Sequence, residues 1–161
     1  MADPKEFILG EFQRALDDRF RLSLPSELAG LLAGEGVDCI LAKERPGCLS
    51  LWNADVWQAK LNESVALVQS KMRAGKLDGR LSHVQLLGRL LSTRHKTVQL
   101  AGRGRLLLPE GFREFLRVEA GGDVVVVGAA VCIEIWNPAA WLKYLDRRMP
   151  KFRTLLDGLS G

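Results

Sequence analysis

The stretch Leu16-Asp17-Asp18-Arg19-Phe20-Arg21-Leu22-Ser23-Leu24-Pro25 is written again as Leu100-Ala101-Gly102-Arg103-Gly104-Arg105-Leu106-Leu107-Leu108-Pro109. Each copy is an apolar residue, a turn with two arginines separated by one residue, and an alternating strand stopped by proline. Matched positions differ by 84 throughout, and residues 16–61 run against 100–145 without insertion or deletion. Repeated segments normally drift in their loops. An unbroken register therefore points to two copies of one structural unit closing on each other around a local two-fold. A solenoid would need three or more repeats to bury its core.

The elements repeat with the turns. Residues 1–9 are expected as a loose lead-in, with Phe7, Ile8 and Leu9 docking. Gly10–Leu16 is a predicted strand on which Phe12, Arg14 and Leu16 share one side under period-two alternation. A strand follows over Arg21–Leu24, then a short helix capped by Ser26 and ended by Gly34, with Leu28, Leu31 and Leu32 at helical spacing. Val37–Lys43 and Cys48–Trp52 are strands around a turn at Glu44-Arg45-Pro46-Gly47. Asn53 then caps a helix carrying Trp57 and Leu61. In the second copy Thr97–Leu100 and Arg105–Leu108 flank the turn, and Phe112, Phe115 and Leu116 fill the places of Leu28, Leu31 and Leu32. Val124–Val127 is a strand, Gly128-Ala129-Ala130 the expected turn, and Cys132–Trp136 the return. Asn137-Pro138 is a cap followed by proline at the first helical position. Between the copies the spacing predicts helices over 54–73 and 80–91, broken at Gly75–Gly79. The predicted organisation is a first unit at 7–61, a helical connector at 62–91, a second unit at 92–145 and a C-terminal tail at 146–161, with Pro150 interrupting the last helix.

Several function classes find no support in the residues. His83 and His95 have no cysteine or carboxylate at zinc-ligand spacing, so no metal site is expected. Gly102-Arg103-Gly104 is too short for a nucleotide-binding fingerprint, and no serine lies in a nucleophile elbow. No cofactor and no catalytic residue is expected. Three cysteines, an odd number, argue against a disulfide scaffold and suit a reducing cytosol. Cys48 and Cys132 occupy matched strand positions as small hydrophobes. No apolar run approaches the ~20 residues of a membrane helix, and the N-terminus lacks a signal-peptide layout.

The net charge of +4 permits a polyanionic partner. Arg21 and Arg105 open a strand at the end of each turn, where a guanidinium can fork onto a phosphate or a guanine edge. The structural alternative for Arg21 is an ion pair with Asp17 across the turn. Arg19 and Arg103 project from inside the turns. From Ser92 to Pro109 the chain has Arg94, Lys96, Arg103 and Arg105 and no acid, whereas Gly10–Pro25 balances Arg14, Arg19 and Arg21 with Glu11, Asp17 and Asp18. Basic character is thus expected to concentrate on the second copy. Trp52, Trp57, Trp136 and Trp141 stand where strand meets helix and are expected to pack rather than stack on bases.

A unit with a turn of the form Leu-Asp-x-x-Gly-Arg-Leu-x-Ile-Pro resembles the AbrB-like swapped-hairpin DNA-binding fold. Two such units, with Gly47-Cys48-Leu49-Ser50-Leu51-Trp52 and Glu134-Ile135-Trp136-Asn137, are similar to the MraZ family over residues 7–145. The family's aspartate, three residues, arginine pattern is met by Asp17 and Arg21. Arg105 matches in the second copy, where Ala101 replaces the aspartate. Gly104 precedes that arginine as in the pattern, whereas the first copy has Phe20. Asp17 and Gly104 are the turn-structuring positions. The resemblance implies an α+β fold of two tandem AbrB-like (swapped-hairpin) units forming a pseudo-two-fold double-split β-barrel with outer helices. It also implies a cytoplasmic, nucleoid-associated regulator of a division and cell-wall gene cluster. Such a regulator binds repeated boxes of double-stranded promoter DNA as a ring-shaped homo-oligomer. The competing expectation is a ring-forming scaffold whose partner is another protein.

Overall fold

A computed structural model describes residues 6–33, 38–102 and 104–161. Arg103, the helix stop at Gly34 and the strand start at Val37 lie outside the described residues. The elements are β1 (Ile8–Ala15), β2 (Arg21–Ser23), α1 (Ser26–Ala33), β3 (Asp38–Arg45), β4 (Cys48–Asn53), α2 (Ala54–Arg73), α3 (Leu81–Arg94), β5 (His95–Gln99), β6 (Arg105–Leu107), α4 (Glu110–Leu116), β7 (Asp123–Ala130), β8 (Ile133–Trp136), α5 (Pro138–Arg148) and α6 (Phe152–Ser160). Short 3-10 turns precede α3 and α6.

The strands form a mixed α+β architecture with one six-stranded antiparallel sheet, ordered β1-β7-β8-β4-β3-β5, and a separate two-stranded ribbon, β2-β6. The order exchanges strands between the two copies. All eight residues of β1 pair with β7 of the second copy, and β5 of the second copy pairs with β3 of the first. The centre of the sheet is β4 against β8, matched strands of the two copies facing each other. The ribbon pairs Leu22 with Leu106, again matched positions.

The alternation within each strand sets the layers. Leu22, Leu24, Leu106 and Leu108 point inward from the ribbon, and Leu28, Leu32, Phe112 and Leu116 from the short helices. They meet Leu41, Leu49, Leu51, Val124, Val126, Ile133 and Ile135 on the inner face of the sheet, and together these form one buried core. The alternate residues of the same strands face outward. There α2 covers Ile40 and Ala42 with Trp57, and α5 covers Cys48, Val125 and Trp136 with Trp141 and Tyr144. The tryptophans pack in pairs beneath these helices, with ring centroids 5.7 Å apart for Trp52–Trp57 and 5.1 Å for Trp136–Trp141.

Several local expectations shift. Ile8 and Leu9 belong to β1 rather than to a lead-in, and of the three docking residues Ile8 is buried while Phe7 and Leu9 are exposed. Ser26 is the first residue of α1 rather than its cap. Glu44 and Arg45 continue β3, and α3 runs past its expected end at residue 91 through Arg94. Gly128, Ala129 and Ala130 are strand, not turn. Their ladder partners Gly10, Leu9 and Ile8 in β1 draw them into the sheet, Ala130 ending the strand with φ of 66°. The tail contains a further helix, α6, after the break at Pro150.

Candidate functional site

Each basic turn is closed by the same main-chain ring. The amide of Asp17 donates to the carbonyl of Arg21 at 3.0 Å, and the amide of Ala101 to that of Arg105 at 2.8 Å. Phe20 donates to Asp17 and Gly104 to Ala101 in the same way. The residue before each arginine is left-handed, with φ of 59° at Phe20 and 78° at Gly104. The turns differ in what holds the arginine. Asp17 Oδ1 accepts the amides of Arg19 and Arg21, both at 2.8 Å, and its Oδ2 takes Arg21 Nε at 2.7 Å. The Arg21 amide, with its guanidinium and the Arg19 amide, holds the Asp17 carboxyl below the usual carboxylate range. In the second turn the Arg105 amide donates to the Ala101 carbonyl instead. The ion pair considered from the sequence as the alternative role of Arg21 is therefore formed. Among the described residues, no carboxylate pairs with Arg105.

The two turns are knitted together. The amide of Leu24 donates to the Gly104 carbonyl at 3.1 Å, and the amide of Leu108 to the Phe20 carbonyl at 3.0 Å. With Leu22 and Leu106 turned into the core, the outer face of the ribbon carries Arg21, Ser23, Arg105 and Leu107, all exposed. Arg21 stands opposite Leu107 and Arg105 opposite Ser23. Both arginines line one shallow groove with Gln99, Ala101, Leu106 and Leu107. Gln99 and Leu107 were not singled out from the sequence. The available signal was Leu107 itself, an apolar residue on the outward phase of an alternating strand.

The other basic candidates are dispersed. Arg19 is exposed on the first turn. Arg14 lies on β1 with its guanidinium 5.5 Å from the Phe12 ring centroid and its Nη1 on the Gln13 carbonyl. Arg94 is drawn against the sheet: its Nε donates to the Lys43 carbonyl, its Nη2 is 3.6 Å from Glu44, and it covers the Trp57 ring. Lys96 is exposed on the edge strand β5.

Cys39, Cys48 and Cys132 are buried free thiols, pushed up by burial, to about 11 for Cys39 and about 12 for Cys132. Glu134, opposite Ser50 in the central pair, is also raised by burial, against the lowering effect of the Trp136 indole that donates to it at 3.0 Å. Among the described residues, no group of His, Cys, Asp and Glu could hold a metal ion, and no helix is long and apolar enough to cross a membrane.

Residues 93–155, which include β6, match the family model described as "MraZ protein, putative antitoxin-like". The chain is 32% identical over 135 residues to the transcriptional regulator MraZ of Thermomicrobium roseum, covering 83% of each chain. The chain belongs to the MraZ family. MraZ of Thermus thermophilus is 29% identical over 157 residues, 94% of this chain and 98% of that one. MraZ of Heliobacterium modesticaldum is 26% identical over 151 residues, 94% and 95% of the two chains. These last two matches, at 94% of this chain, take in both basic turns.

Proposed function

We propose that this chain is a DNA-binding transcriptional regulator and that the β2-β6 ribbon is its DNA-contacting surface. The observation that carries the reading is the convergence of Arg21 and Arg105, one from each copy, on the exposed face of a two-stranded ribbon. A two-stranded ribbon fits the major groove, and a forked guanidinium matches the acceptor edge of guanine. Phosphate contacts would position the ribbon, drawing on Arg19, Arg103 and Lys96. Relatives named as transcriptional regulators support this assignment. In this reading the exchanged strand order is the tandem swapped-hairpin, double-split barrel arrangement. The targets are repeated promoter boxes in double-stranded DNA.

The same reading includes a ring of several chains. Phe152, Leu155, Leu156 and Leu159 on α6, and Leu81, Leu86, Leu87 and Leu90 on α3, are exposed apolar residues suited to repeated contacts between copies. A ring would multiply weak single-ribbon contacts over successive boxes through effective concentration.

The test is titration of the protein with the DNA upstream of its own gene over a range of salt. Affinity should fall steeply with salt as phosphates are neutralised. Arg105→Ala should weaken binding by about 1–3 kcal/mol. Arg21→Ala should cost less, because Asp17 already engages that side chain. Salt-independent binding, or full affinity in Arg105→Ala, would remove the ribbon from the DNA interface.

A further inference from the structure

The 84-residue correspondence offers an internal control for surface residues of the two copies, and at one place the copies diverge in charge. Arg45, Arg117 and Lys143 correspond to Ala129, Ala33 and Ala59, and Arg147, two residues past the end of the ungapped match on α5, stands at the same offset from Glu63 on α2. Four cations on one side of the molecule thus face three alanines and an acid at the matched positions. General surface basicity for solubility gives no reason for this concentration at one of the two matched places.

The four cations line a single cleft of about 310 Å³ between the β3-β4 hairpin and the start of α5, with no acidic residue in its lining. Its floor is tight. The amide of Asn137 donates to the Gly47 carbonyl at 2.8 Å. A Cβ on Gly47, whose φ is +83°, would stand 2.8 Å from Ala140 Cβ, so glycine is what lets the hairpin reach the helix. Val131 occupies the matched position in the other copy. Arg45 is held by cation–π contact, its guanidinium 4.8 Å from the Tyr144 ring centroid. Lys143 and Arg147 are spaced four apart on one face of α5, a like-charge arrangement that disfavours a helix. Among the described residues none of the four is in an ion pair. Such a concentration of unpaired cations within a concavity is stabilised by an anion of several charges.

We infer that this cleft binds a small polyphosphorylated molecule of nucleotide size. It shares no residue with the ribbon groove. It does connect to the first basic turn through the segment that Arg117 begins. Within that segment the Gly121 amide donates to the Asp17 carbonyl at 3.1 Å, and the Gly122 carbonyl accepts the Leu16 amide at 2.8 Å. On the DNA-binding reading, an occupant held by Arg117 would act as an effector of that turn.

Calorimetric titration of the full chain with sodium tripolyphosphate, ATP and inorganic phosphate tests the cleft without DNA. Tripolyphosphate and ATP should bind one per chain, with orthophosphate at least roughly tenfold weaker because fewer cations are engaged. The double substitution Lys143→Ala/Arg147→Ala removes exposed side chains from a helix and should keep the wild-type melting curve. It should lower tripolyphosphate affinity by roughly tenfold or more. Lys60→Ala, on the matched face of the other copy, should change nothing. Absence of saturable tripolyphosphate binding, or equal affinity in the double variant, overturns the site. Promoter DNA provides the second arm. If the double variant loses DNA affinity as Arg105→Ala does, the cleft is a backbone contact and the small-molecule assignment falls. If the wild type binds tripolyphosphate in the cleft but no DNA, the cleft stands and the regulator reading fails.

Discussion

Phe20 and Gly104 occupy the same place in the two turns and share a left-handed backbone, although only one of them is glycine. For an L-residue that conformation costs about 1–2 kcal/mol. Phe20 offsets it by packing its ring against the core, beneath the Arg113 guanidinium 4.4 Å from the ring centroid. Gly104 has no such option, since a Cβ there would meet Ala29 Cβ at 3.1 Å. Gly104→Ala should therefore destabilise the chain by about 1–2 kcal/mol, seen as a lower urea midpoint at unchanged slope. Wild-type stability would show that the second turn can rebuild without a left-handed residue. The sequence comparison flagged position 20 as a departure from pattern. It could not show that the backbone tolerates the departure, because the compensating contact comes from α4.

At the scale of elements, the starts of α2 and α5 were the most legible features. Asn53 and Asn137 each accept two amides of the following turn through Oδ1. Each also reaches back with Nδ2 to the end of the preceding short helix, Asn53 to the Leu32 carbonyl and Asn137 to that of Arg117. The capping role follows from residue type and position. The second bond depends on where α1 and α4 end in space, so it was not readable. Asn137→Ala should cost about 1–2 kcal/mol and lower the melting temperature by several degrees. Asn137→Asp keeps the acceptor but loses the donor to Arg117, and should fall between the two. An Asn137→Ala protein that melts like wild type would mean α5 is positioned by its aromatic packing alone. The β7-β8 turn shows the opposite case: Gly128-Ala129-Ala130 has turn composition, yet pairing with β1 draws it into the sheet.

For the whole molecule, the exchange of β1 and β5 makes each copy incomplete alone. Without the other copy, β1 loses its partner β7, β3 loses β5, and β4 and β8 become open edges. A piece ending at residue 74 and one beginning at residue 75 should each lack a cooperative unfolding transition. Mixed in equal amounts, they should recover one. The break falls in the turn between α2 and α3, outside the ladders. Cooperative folding of either piece by itself as a monomer would contradict the interdependence implied by the strand order.

The sequence by itself determined the duplication, the mixed helix and strand content, the two arginine turns and the two asparagine-capped helices. Each of these is carried by local chemistry: residue type, alternation, and spacing that repeats at 84. Tertiary structure alone decided which strand pairs with which. It placed Arg21 and Arg105 on one ribbon, drew Arg94 away onto Trp57 and Glu44, and gathered Arg45 with Arg117, Lys143 and Arg147 around one cleft. The physical reason is that a strand's alternation specifies which side chains are buried but not which backbone satisfies its amides. That choice was made by the closure of two incomplete halves around a shared core.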